Sequence, residues 1–134
     1  MKLLILSLSC FFLSITGRAH PSMLDSIPAN PADVETVSSI LTALYDVISG
    51  PAGQTRNWDR MRTLFAPEAR LIPTGKRKDG TYDHRVFNLE QYILNAKPYF
   101  EKEGFFEKEI SRKTDQYGSV VQVFSTYESK HQAT

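Results

Sequence analysis

The chain reads as an α+β domain, and three observations carry that reading. Residues 30–50 repeat apolar side chains at three- and four-residue steps between helix start and stop signals. Residues 105–117 and 119–130 are two long strand-forming segments that meet at Gly118. Between these regions lie a hairpin turn signal, Asp79-Gly80, and a further capped helix. Helices and antiparallel pairs on separate stretches of chain make an α+β fold. A length of 134 residues allows one domain. With 41% hydrophobic and 23% charged residues, disordered, collagen-like and disulfide-scaffold classes are excluded. A formal charge of +1 argues against a dedicated nucleic-acid binder, which carries a clear basic excess.

Met1-Lys2, the apolar run Leu3 to Ile15 and the small-residue site Gly17-Arg18-Ala19 have the three-part layout of a secretory signal peptide. The expected cut follows Ala19, so residues 1–19 are a signal peptide and the protein is exported, periplasmic or secreted. The run is short of the ~20 residues a spanning helix needs, which argues against an uncleaved membrane anchor, and no membrane association is expected once the signal is removed. Cleavage removes Lys2, Arg18 and Cys10, the only cysteine, and leaves a formal charge of −1. Thiol nucleophiles and cysteine zinc sites are then excluded. Residues 20–29 read as a leader and 30–134 as the folded domain.

In that domain Asn30 caps, Pro31 opens and Asp33 charges the first turn of a helix ended by Gly50-Pro51. Its stripe is Val34, Val37, Leu41, Leu44 and Ile48, widened by Ile40 and Tyr45. Asn57 caps a short helix through Phe65, with Trp58, Met61, Leu64 and Phe65 inward, and Pro67 stops it. Ala69 to Pro73 and Thr81 to Phe87 read as strands of a hairpin. Asn88 and Gln91 form a capping-box pattern for a helix to Glu103, burying Tyr92, Ile93, Ala96, Tyr99 and Phe100, with Pro98 marking a kink and Gly104 its end.

Trp58-Asp59-Arg60-Met61 and Leu64-Phe65-Ala66-Pro67-Glu68-Ala69 follow a long amphipathic helix and precede a short strand. In this order they resemble the nuclear transport factor 2-like superfamily, and its SnoaL-like branch in particular. Gly104-Phe105-Phe106-Glu107-Lys108-Glu109-Ile110 and Val123-Phe124-Ser125-Thr126-Tyr127-Glu128 are similar to a bacterial subgroup of unassigned function. The resemblance covers residues 32 to 130. It implies a cone, in which a curved antiparallel or mixed sheet wraps three helices and leaves a cavity at the wide end. Members include isomerases, dehydratases, cyclases, epoxide hydrolases and binding domains, and many pair through the sheet face, so a homodimer is expected. Members continue with two further strands after the one ending near Lys130. The expectation is therefore a chain cut short at its C-terminal side or a sheet completed by another chain, since a bare edge invites pairing.

The residues that could carry chemistry lie on the two long strands. Regular alternation puts Glu107, Glu109 and Ser111 on one face and Phe106, Ile110 and Arg112 on the other. The apolar look of Phe106 and Ile110 makes the glutamates solvent-facing. The alternative buries one glutamate in the cone as a general base, with Arg112 or Tyr127 stabilising an oxyanion. Trp58, Tyr45, Tyr92, Tyr99 and Phe124 either line a pocket for a small, largely apolar ligand or are simple core. Asp59 reads as a first-turn acid and Lys76-Arg77-Lys78 as a solvated hairpin tip, the alternative being contact with an anionic ligand or lipid head group. His20, His84 and His131 lack metal-ligand spacing, and no phosphate loop or hydrolase motif is present, so no metal or cofactor is expected. The leading expectation is an exported small-molecule-binding domain. The alternatives are a cofactor-free lyase or isomerase using Glu107 or Glu109 with Arg112 and Tyr127, and a dimerising scaffold.

Overall fold

A computed structural model describes residues 27–131. The expected signal peptide and the leader as far as residue 26 lie outside the described residues. Four helices and four strands follow in the order α1 (Pro31–Val34), α2 (Val37–Ile48), α3 (Trp58–Thr63), β1 (Thr74–Lys76), β2 (Tyr82–His84), α4 (Leu89–Glu103), β3 (Phe106–Tyr117) and β4 (Val120–Lys130). The α+β class stands. The strands form two separate antiparallel pairs, β1–β2 and β3–β4.

The expected single helix over residues 30–50 is two. Asn30 caps and Pro31 opens it as expected, but Thr36 takes an extended conformation and starts a new helix with Ser39 in a capping box. A Thr hydroxyl satisfies orphan backbone donors better at a cap than in a helix interior, and this local gain breaks the periodic pattern. Val34 consequently leaves the stripe and is exposed. Asp33 does more than charge a helix end. It is buried and forms a bidentate pair with Arg60 at 2.8 and 2.9 Å, and Arg60 also meets Asp46. One guanidinium thus ties α1, α2 and α3, and it holds the Asp33 carboxyl below its ordinary range.

Asn57 caps α3 through Arg60 N, and Asn88 with Gln91 forms the capping box of α4, both as the sequence predicts. Pro98 sits inside α4, which ends at Gly104. Gly104 has φ +67°, and a Cβ there would lie 2.8 Å from Ala52 N, so only glycine fits. The core joins Val47 and Ile48 of α2, Trp58 and Met61 of α3, and Ile93 and Phe100 of α4. Phe100 stacks on Phe105 at 4.4 Å between centroids and on Trp58 at 6.3 Å.

The predicted strand over 69–73 is reduced to the bridge Leu71–Phe87, and β1 begins later, at Thr74. Bridge and strands share one register, with Thr74 opposite His84 and Lys76 opposite Tyr82. The segment is therefore a continuous narrow ribbon that turns at Gly80. In β3–β4 the tip is the two-residue turn Gly118-Ser119, between Tyr117 and Val120.

Candidate functional site

α2 lies against β3–β4, and its side chains make the site. Regular alternation fails at Ile110: Glu109 faces Tyr127 and Ser111 faces Thr126, so Ile110 is an extra residue bulged out of the ladder. The expected face assignment is corrected here. The bulge turns Arg112 onto the face of Glu109 and leaves Ile110 65% exposed instead of packed. Glu109, expected at the solvent face, is largely covered, with its side chain 16% exposed.

Each oxygen of the Glu109 carboxylate accepts a hydrogen bond. Arg112 Nη2 donates to Oε2 at 2.6 Å and Ser125 Oγ donates to Oε1 at 2.7 Å. A carboxylate only accepts, so Ser125 must give its proton there, and Tyr45 then donates to Ser125 Oγ at 2.8 Å. Arg112 Nη1 reaches Ser38 Oγ at 3.1 Å. Ser38 and Tyr45 are seven residues apart, on one face of α2, so a single network fastens the helix to the hairpin at two points. The Ser125 hydrogen bond, with Arg112 beside it, holds the Glu109 carboxyl below its ordinary range.

Glu107 differs. Its backbone N–H donates to Ser49 Oγ at 3.0 Å, and Ser49 Oγ donates back to its carbonyl at 3.2 Å. Next to this, Gly50 and Phe105 exchange both backbone bonds. The segment that ends α2 therefore meets only the first residues of β3. The Glu107 side chain is half-buried and makes no hydrogen bond among the described residues. Burial pushes its carboxyl upward. Tyr92, whose phenol is also raised by burial and by Glu107, is its neighbour.

Glu107 and Glu109 both line an open groove of about 610 Å³, with Thr42, Tyr45, Asp46 and Ser49 on the α2 side. The Tyr127 ring stands 6.4 Å from that of Tyr45 but is half exposed. Of the aromatic residues expected to hold a ligand, Tyr45 alone lines the groove. Trp58 is core, and its indole N–H is buried without an acceptor among the described residues. Tyr92 packs on the core from α4. Tyr99, expected to be buried, is 43% exposed and meets His131 Nδ1 at 2.9 Å. Phe124 lies opposite Lys113 on the outer face, one residue out of step with Ser125, and is 61% exposed. Asp59 acts as a first-turn acid of α3 and pairs with Arg62.

Sequence reading misses Ser38, Ser49 and Ser125, whose roles depend on the docking of α2. It also misses Arg56, a buried guanidinium that donates to the carbonyls of Ile48, Gly50, Pro51, Gln54 and Phe100. Among the described residues no group of three or more His, Cys, Asp or Glu could hold a metal ion. The chain matches no protein-family model, and comparison with curated proteins and with solved structures finds no match.

Proposed function

We propose that this chain is an exported small-molecule-binding domain of the nuclear transport factor 2-like, SnoaL-like type. Its ligand is small and largely apolar and lies in the groove between α2 and β3–β4. One observation carries the reading: the groove holds a half-buried carboxyl, Glu107, that is raised by burial and has no hydrogen-bond partner among the described residues, beside Glu109, whose two oxygens each already accept a hydrogen bond. A group left in that condition is available to a ligand. The element order and the lay of α2 along β3 support the cone architecture, and the layout of residues 1–19 supports export.

The test is titration with Nile red, an uncharged apolar dye, from mildly acidic to neutral pH. Uptake should be tighter where Glu107 is protonated, and Glu107→Gln should bind the dye with no pH dependence. Absence of uptake, or an unchanged pH profile in the variant, would overturn the proposal.

A second reading is favoured by the opposite displacement of the two carboxyls, the pattern of an acid–base pair. Here Glu107 moves a proton on a bound ketone, while Arg112, held by Glu109, and Tyr127 supply the positive edge of the site. Deuterium wash-in to a ketone probe that persists in Glu107→Gln would sink this reading. Pairing with a second copy is supported by the outer face of β3–β4, where Tyr117, Val120 and Phe124 are exposed together.

A further inference from the structure

We propose that the β1–β2 ribbon docks on an anionic lipid surface. The observation is a juxtaposition that the common register creates. With Leu71 opposite Phe87 and Thr74 opposite His84, Ile72 stands opposite Val86. Alternation then puts Ile72, Val86 and Tyr82 on one face together with Lys76. All three apolar side chains are exposed, at 52%, 53% and 78%. The opposite face is internally paired, with Arg77 bound to Asp83 at 2.7 Å and Arg85 over the Phe87 ring at 5.4 Å.

Charge is concentrated on the same ribbon. Residues 70–86 hold Arg70, Lys76, Arg77, Lys78 and Arg85 against Asp79 and Asp83. Residues 27–131 as a whole hold equal numbers of acids and bases, so the rest of the described chain is acidic. A basic ribbon on an acidic body orients the molecule toward a negative surface and turns the body away from it. A binding pocket for one anion would need converging donors. An interfacial site needs only an apolar face flanked by bases, with a tyrosine at headgroup depth. The ribbon has those parts. Lys76-Arg77-Lys78 read alone is a solvated turn, and the apolar residues that change its meaning come from both strands.

The test is hydrogen exchange followed by mass spectrometry on the full chain at low salt. One sample holds vesicles of phosphatidylcholine mixed with phosphatidylglycerol, another pure phosphatidylcholine vesicles, and a third soluble polyglutamate. Amides of residues 71–87 should exchange several-fold more slowly with the anionic vesicles only, and added salt should reverse this. Both Lys76→Gln with Lys78→Gln and, separately, Tyr82→Ser should lose most of the protection. Unchanged exchange, equal slowing by pure phosphatidylcholine, or protection that survives both variants would overturn the proposal. Equal protection by polyglutamate would also overturn it, in favour of an acidic macromolecule.

Discussion

Glu109 and Arg112 are three residues apart on one strand and still meet in a 2.6 Å ion pair. A regular strand would point them to opposite faces. The bulge at Ile110 brings them together, and with them the link between α2 and the hairpin. The geometry of the candidate site therefore depends on one extra residue.

Glu109→Gln should keep a cooperative fold and lower the melting temperature at neutral pH. The native carboxyl is held below its ordinary value, so its contribution is present above the unfolded pKa of about 4.3 and is lost as pH falls through the folded value. Thermal melts of both proteins should converge in acid. Equal melting temperatures at neutral pH would show that the network contributes nothing.

Glu107→Gln should act in the opposite sense. The native carboxyl is raised, so the wild-type chain loses stability as pH rises through its folded pKa. The variant should melt slightly higher than wild type at neutral pH and alike in acid. Calorimetry across that range checks the sign.

Arg56→Met should cost about 3 kcal/mol or more, because the buried carbonyls of Ile48 and Gly50 and the partly buried one of Gln54 lose the Arg56 donor at once. Arg56→Lys should not restore stability, since an ammonium cannot span carbonyls on the end of α2, the following loop and α4 together. Urea unfolding measures both.

Phe124→Ser should leave dye uptake in the groove unchanged, because the ring lies on the outer face. If two copies pair through that face, the same substitution should weaken association about tenfold or more, in keeping with the loss of a buried aromatic anchor. Sedimentation over a concentration series decides this.

The sequence was most legible where the signals are local. Asn57, Asn88 with Gln91, and the turns at Gly80 and Gly118 hold their predicted places because each depends on a few adjacent residues. The break at Thr36 is hidden because apolar spacing continues across it, although its hydroxyl serves better as a cap. Alternation puts Arg112 on the wrong face because a bulge changes the parity of everything after it, and nothing at Ile110 announces one. Ser125 and Ser38 gain meaning only when α2 docks, a long-range event that no spacing encodes. Of the site, the two glutamates, Arg112 and Tyr45 were legible as residues, while the division of roles between the glutamates was not.

Trp58 is the chain's single tryptophan, and it lies in the helical core against Phe100, remote in sequence from the exposed far half of β3–β4. Its emission is therefore an optical gauge of the helices alone. Loosening of the hairpin tip would pass unseen by indole fluorescence but would register in the far-ultraviolet dichroism of the strands. Two unfolding curves recorded on one sample would separate if the tip melts first, and the gap between their midpoints would measure how tightly the Glu109 network couples the two halves of the molecule.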